Sequence, residues 1–292
     1  MKARPLRFVA YTPIESSSDP SLSQISRDLD SVKEMGFDGL KLWNTNQLYE
    51  RGWLAYVLKT AGSYGLIVNV VYQFNNTTDT FPPTRAAIDR MKVAIGEIAS
   101  VTRPSNAVAW NNLFAPFDWS MAAEQRQAVV TSSEYRDALE ELLAAIASSD
   151  HAHQVRVSFD GDPRIGFPFL KGAQGYGIMP YTLTPDSIDT SRIQAYAEYF
   201  SPTGKPVYID EWGLQTTNLL PHGRASSDQE KGRLVVEFAR FAESLGLDWT
   251  YFMLTDRNPR IVFESGVDWG LRDLNRVPRG SAIVLENFLQ SQ

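Results

Sequence analysis

Eight short, nearly all-apolar runs recur along this chain, and an amphipathic helical stretch follows most of them. That alternation limits the fold more than any other feature. The runs are Phe8–Tyr11, Gly39–Trp43, Ile67–Tyr72, Val108–Leu113, Val155–Phe159, Gly177–Tyr181, Val207–Ile209 and Trp249–Leu254. Helical patterns lie between them at Ser23–Met35, Trp53–Tyr64, Arg85–Thr102, Tyr135–Ser149, Ser191–Tyr199 and Ser227–Leu245. In the fourth of these, Ala138, Leu139, Leu142, Leu143 and Ile146 repeat at helical spacing and make one face. Strands apolar on both sides suit a parallel sheet that is covered on both faces. Eight βα repeats in about 280 residues match the size of a (β/α)8 TIM barrel. A doubly wound sheet would want a glycine-rich turn after the first strand. The turn here, Thr-Pro-Ile-Glu-Ser-Ser-Ser-Asp-Pro from Thr12 to Pro20, has no glycine. The expectation is an α/β chain forming one TIM-barrel domain over residues 1–292.

Composition narrows the function classes. A formal net charge of −6 leaves no basic surplus to neutralise phosphates, so no nucleic-acid partner is expected. No run of 18 or more apolar residues appears, so no membrane span is expected either. The absence of cysteine removes disulfides, thiolate metal sites and cysteine nucleophiles together. It assigns no compartment. Met1–Arg7 leads straight into the first strand with no visible signal peptide, so the protein is expected to be soluble, either cytoplasmic or secreted after loss of a leader. A monomer is expected.

A barrel of this kind collects its chemistry at the C-terminal ends of the strands. Read in order, those ends offer Tyr11, Thr12 and Glu15; Lys41, Trp43 and Asn44; Asn69, Tyr72, Gln73 and Asn75; Trp110, Asn112, Phe114, Asp118 and Trp119. They continue with Ser158, Asp160 and Asp162; Tyr181; Asp210, Glu211 and Trp212; and Thr255, Asp256 and Arg257. The seventh end is the sharpest: Val207–Ile209 delivers Glu211, and Gly213 then releases the chain, which puts the carboxylate on the lip of the strand.

This rim has no histidine. His151 and His153 precede strand five, at the end of a barrel that reads as structural, and His222 sits in a loop. A three-histidine zinc site and a Ser–His–Asp triad are therefore not expected. Asp160 and Asp162 are a loop pair able to hold a cation, but neither metal nor cofactor is expected. A Schiff-base mechanism would rest on Lys41 alone. Aromatic rings with amides and acids are instead the vocabulary of saccharide binding: sugar C–H faces pack on Trp and Tyr, and hydroxyls bond Asn, Gln, Asp and Glu. Trp43, Trp110, Trp119 and Trp212 lie at or beside strand ends, and about half are expected to brace the barrel instead.

Several segments together resemble the clan A glycoside hydrolases, above all family five, the cellulase and mannanase group. Lys205–Gly213 resembles the strand-seven motif that ends in the family's nucleophile, an aromatic residue and Gly. Met179-Pro180-Tyr181 resembles strand six, whose tyrosine contacts that nucleophile. Trp249–Asp256, followed by Val267–Leu271 and Pro278–Ser281, resembles the strand-eight region and closing helix, and Tyr135–Asp150 before Val155–Phe159 matches the family's rhythm. The resemblance implies Glu211 as nucleophile or base and Tyr181 as its hydrogen-bonding neighbour. It breaks at strand four. Val108–Pro116 fits the segment that carries the family's Asn-Glu-Pro acid/base motif, yet Phe114 stands for Asn and Ala115 for Glu. The strand-two Arg is Lys41, the strand-three His has no counterpart near Tyr72, and the strand-eight Trp is unmatched at Phe252–Met253.

Glycosidic cleavage by the common route needs two carboxyl groups. Three accounts fit a chain that keeps one. Another carboxyl has taken the acid role: Asp118, three residues past Ala115, is the expected choice, with Asp160, Glu15 and Glu264 as other rim candidates. Alternatively, hydrolysis is lost and the barrel is a carbohydrate-binding pseudoenzyme. Or Glu211 serves a transfer reaction, a transglycosylase in the same pocket. The resemblance implies a glycosidase acting on a β-linked glucan or mannan type of saccharide. Its catalytic residues would be Glu211 and Asp118, with Lys41, Trp43, Tyr72, Trp110, Asn112, Tyr181, Trp212 and Asp256 contacting substrate. The overlapping sequons at Asn75–Thr78 are patterns that arise often by chance, and Glu140-Glu141 reads as a solvated helix face.

Overall fold

Strand one pairs in parallel with both strand two and strand eight, which closes the sheet on itself. The computed structural model describes residues 4–16, 20–74, 81–181, 187–216, 225, 227–258 and 268–291. The strands are β1 (Arg7–Tyr11), β2 (Gly39–Leu42), β3 (Ile67–Tyr72), β4 (Val108–Phe114), β5 (Gln154–Phe159), β6 (Tyr176–Ile178), β7 (Val207–Trp212) and β8 (Trp249–Tyr251). They run in sequence order around a closed parallel barrel. The helices are α1 (Pro13–Ser16), α2 (Leu22–Glu34), α3 (Thr45–Glu50), α4 (Leu54–Ser63), α5 (Arg85–Thr102), α6 (Ala123–Val130), α7 (Ser133–Ser149), α8 (Thr190–Phe200), α9 (Asp228–Ser244) and α10 (Gly280–Gln290). This is the (β/α)8 barrel that the apolar runs predict. The sequons at Asn75–Thr78, His222 and Glu264 lie outside the described residues, as does the Glu15 side chain.

Local chemistry starts the helices where the pattern expects them. Ser21, Thr84, Ser132 and Ser227 precede α2, α5, α7 and α9, and each hydroxyl accepts a first-turn N–H that the helix cannot pair. The inner core is the face each helix turns to the sheet, for example Leu139, Leu142, Leu143 and Ile146 of α7. At the N-terminal end, buried Arg7 of β1 donates from Nε to Glu243 of α9 at 2.7 Å and from Nη1 to the carbonyl of Leu289 in α10. One guanidinium thus ties the first strand to the last two helices. Among the described residues, no helix is long and apolar enough to cross a membrane.

Strand seven departs from the sequence reading in one respect. It extends to Trp212, three residues beyond the apolar run, so Glu211 belongs to the sheet and not to a loop past its lip. Pairing with β8 is broken on the way: Ile209 faces Trp249 and Trp212 faces Tyr251, three steps on one strand against two on the other. That extra residue is a bulge, and a bulge re-aims side chains.

Candidate active site

Regular alternation would send Asp210 and Glu211 to opposite faces of the sheet. The bulge turns both into the barrel. Lys41 Nζ, rising from β2, lies 2.5 Å from Asp210 Oδ2 and 3.2 Å from Glu211 Oε2. Asp210 also accepts from Asn69 Nδ2 at 3.3 Å and Asn112 Nδ2 at 3.1 Å. Asn112 in turn donates to Ser158 Oγ at 2.9 Å and accepts from the Tyr208 hydroxyl at 3.0 Å. Five strands therefore contribute to one buried polar network, and Asp210 is fully engaged within it.

Glu211 is different. Its partners are Lys41 below and the Tyr181 hydroxyl, which donates to Oε1. Burial raises its pKa; the Lys41 charge and the Tyr181 bond oppose that rise, and the Asp210 and Asp160 charges add to it. Burial pushes Tyr181 well up as well, with Glu211 and Asp160 adding to it. The result is a carboxyl set at the mouth end of the barrel, held in place by a cation and a phenol that stays protonated.

An apolar cluster stands beside Lys41 and Tyr181, the two partners of Glu211. Ala10, Trp43, Val71, Phe114, Met179, Met253 and Trp269 form a cluster of their own, separate from the main core, with Tyr181 and Phe252 packed on it. Trp43 meets Phe114 edge-on at 5.2 Å, and Lys41 Nζ sits 3.9 Å from the Trp43 ring centroid. Trp269 stands edge-on to Tyr181 at 5.8 Å and to Phe252 at 5.7 Å. Its segment is pinned from behind: the ammonium of fully buried Lys231 donates to the carbonyls of Asp268, Trp269 and Gly270 at 2.9, 3.0 and 2.9 Å. Gly213 lets the chain leaving β7 approach the chain leaving β8, since a Cβ there would stand 2.2 Å from the Phe252 carbonyl oxygen.

The structure brings Glu211, Lys41, Trp43, Asn112 and Tyr181 together. It places the other expected residues elsewhere. Trp212, next after two inward carboxylates, points out of the barrel and stacks on Phe238 of α9 at 3.9 Å, fully buried. Tyr72 follows inward Val71, so it too faces outward, against Thr102 of α5 and near Asp150. Trp110 faces inward but lies two residues below Asn112, packed between Phe8, Tyr208 and the Arg156 guanidinium, 3.8 Å from its ring. Asp256 is a corner post: it accepts the Gly270 N–H at 2.8 Å and pairs with Arg279. Asp118 sits in the loop after β4, where Oδ1 takes the Ser120 N–H at 2.8 Å and the Ser120 hydroxyl at 2.7 Å. Those bonds hold its pKa below the ordinary carboxylate value. For Trp212 and Tyr72 the reason is register, which sets the side of a strand that a residue faces; Trp110 lies in a lower layer of the barrel, and Asp118 and Asp256 lie past the strand ends.

Sequence reasoning missed Met179, Met253 and Trp269, which belong to the cluster that Tyr181 packs on, and it did not rank Asp210. The Asp-Glu pair was visible, but no local pattern announces a bulge. The possible cation loop divides instead: Asp160 accepts from Trp119 Nε1 at 2.7 Å, and Asp162 pairs with Arg164. No group of three or more metal-binding side chains occurs among the described residues.

No protein-family model matches the chain, and no curated protein matches it significantly. Solved structures do. A β-glucuronidase 2 from Bacteroides uniformis, covalently bound to cyclophellitol-6-carboxylate aziridine, superposes with a TM-score of 0.74 at 13% identity over 97% of this chain and 34% of its own. A GH2 β-galacturonidase from Eisenbergiella tayi bound to galacturonate gives 0.75 at 13% identity, over 99% and 51%. A GH5_18 variant from Streptomyces cattleya in complex with Manb1-4GlcNAc gives 0.70 at 17% identity, over 98% and 80%. The chain thus spans a third to a half of the length of the first two, and likeness at these identities shows the fold.

Proposed function

We propose that this protein is a glycoside hydrolase-like barrel that cleaves an O-glycosidic bond in a β-linked saccharide, with Glu211 as nucleophile or base. One observation carries the reading: Glu211 sits at the mouth end of β7, positioned between the Lys41 ammonium and the Tyr181 hydroxyl. Its barrel-wide likeness to sugar-cleaving enzymes supports that reading. Trp43 and Trp269, which pack against Lys41 and Tyr181, the two partners of the carboxyl, are aromatic rings of the kind sugar faces pack on. A glucan or mannan type of substrate follows from the family-five resemblance, and the disaccharide held by the GH5_18 structure supports the mannoside side of it. The proton donor must be a group other than residue 115, since Ala115 has no proton to give.

The test is Glu211→Gln assayed against β-glycans and aryl β-glycosides, with β-mannosides, β-glucosides and β-glucuronides in the panel. Loss of turnover by about 10²-fold or more on the substrate that the parent cleaves supports the assignment; undiminished turnover sinks it.

A second reading has its own support. Phe114 and Ala115 fill the strand-four position with carbon, and Tyr181, the partner of Glu211, packs on the apolar cluster that holds Phe114. That arrangement suits a barrel that binds saccharide without cutting it. Such a protein would show sugar-dependent Trp fluorescence and a raised melting temperature with no product, through mass action on the folded state.

A further inference from the structure

We propose that Asp160, at the exit of β5, is the proton donor that faces the departing oxygen across the bond from Glu211. This deepens the hydrolase reading and rests on it.

The placement follows from strand geometry. Ser158 faces into the barrel, where its hydroxyl takes the Asn112 amide. Side chains alternate along a strand, so Asp160, two residues on, leaves β5 on the same side and above it. β5 is the neighbour of β4: Phe114 and Ser158 are register partners, and the Ala115 N–H donates to the Ser158 carbonyl at 2.9 Å. Asp160 therefore stands one strand over from Ala115, beside the gap where the strand-four acid is missing. It is partly exposed, as a group that meets solvent and substrate must be.

Two further features mark it. Its charge reaches the core of the site, since both the Glu211 carboxyl and the Tyr181 phenol feel it after the larger effect of burial. Asp160 is also aimed: the Trp119 indole N–H holds Oδ2 at 2.7 Å, and the Trp119 ring is itself braced by the Arg126 guanidinium 5.1 Å from its centroid. Gly161 follows at φ +107°, and the Trp119 ring lies 3.6 Å from where a Cβ would be. The turn at that glycine lets the indole close on the carboxyl.

The chemistry balances without an added reagent. Glu211 Oε forms a bond to the anomeric carbon as the bond to the glycosidic oxygen breaks. The electron pair stays on that oxygen, which takes the Asp160 proton and departs as a neutral alcohol. Water then attacks the anomeric carbon, gives its proton to Asp160, and the bond to Glu211 breaks.

Aryl β-glycosides of the productive sugar separate this role from a structural one. A dinitrophenolate leaves without protonation, whereas an alkyl or methylumbelliferyl group needs it. Asp160→Asn is expected to lower kcat/KM by about 10²–10⁴-fold on the poor leaving group, by far less on dinitrophenyl, and to lose the alkaline limb of the pH profile. Trp119→Phe is expected to give a smaller loss of the same leaving-group dependence, and it serves if Asp160→Asn does not fold. Glu211→Gln loses both substrates alike. Equal losses on both leaving groups in Asp160→Asn and Trp119→Phe, or the leaving-group signature in Asp118→Asn instead, overturn the proposal while the hydrolase reading stands. If the parent turns over neither substrate class, both fall together.

Discussion

Asp210 and Glu211 are consecutive, yet both carboxylates face the one ammonium of Lys41, at 2.5 and 3.2 Å. The two do different work. Asp210, wholly enclosed, takes the shorter contact and two amide donors, and so neutralises Lys41 within the barrel. Glu211, at the edge, shares the cation loosely and keeps a raised pKa. The ion pair beneath is what allows a second carboxyl to be stationed at the mouth without an unbalanced charge in the core.

Lys41→Met leaves Asp210 buried with no cation. Losing one partner of a buried pair costs about 3–5 kcal/mol. A urea midpoint lowered to that extent is expected, and Asp210→Asn in the same chain should recover much of it. Simple addition of the two losses would mean that the residues are not coupled.

Glu211 gives a pH signature of its own. A carboxyl with a raised folded pKa holds its proton more tightly folded than unfolded. Its contribution is full below the unfolded value of 4.5 and is lost as pH rises through the folded one. Relative to Glu211→Gln, the parent is expected to lose stability as pH rises from the unfolded value of 4.5 through the folded one. Urea unfolding across that range checks it; a parent that gains on the variant contradicts the burial argument.

Lys231 predicts the opposite slope. Burial brings its pKa down from 10.5 to about 8, with Asp256 and Asp268 resisting. Between those values the unfolded chain holds more protons than the folded one, so stability rises with pH. The full window is worth about 3 kcal/mol at about 1.4 kcal/mol per pKa unit. The stability difference between parent and Lys231→Met should therefore shift in the parent's favour from about pH 8 to about pH 10. A flat difference in chemical denaturation would show that Lys231 keeps its ordinary pKa.

Trp212 distinguishes packing from binding. Its ring is fully enclosed and stacked on Phe238 at an interplanar angle of 3°. Trp212→Ala is expected to cost about 3–5 kcal/mol of stability. On the proposed saccharide reading, sugar-dependent Trp fluorescence should persist in the folded variant, because Trp43 and Trp269 stand beside Lys41 and Tyr181. Unchanged stability with lost saccharide response would restore Trp212 to the pocket.

Much of this protein could be read from the chain itself. Arg85–Thr102 begins and ends where its periodicity says, and the strands were placed to within a few residues, because burial on both faces imprints an apolar run whatever the register. Glu211 and Tyr181 were legible as neighbours through the family resemblance. Register was not legible. Tyr72 and Trp212 stand at strand ends as Trp43 does, but a residue's side of the sheet depends on hydrogen-bond partners far away in sequence. The β7 bulge is such a case: its extra residue exists only relative to β8, and it turned Asp-Glu into two inward carboxylates over one lysine. Sequence alone determined the barrel, because hydrophobic period is a local property. Only the tertiary structure decided which acids face the site, because facing is a relation between strands.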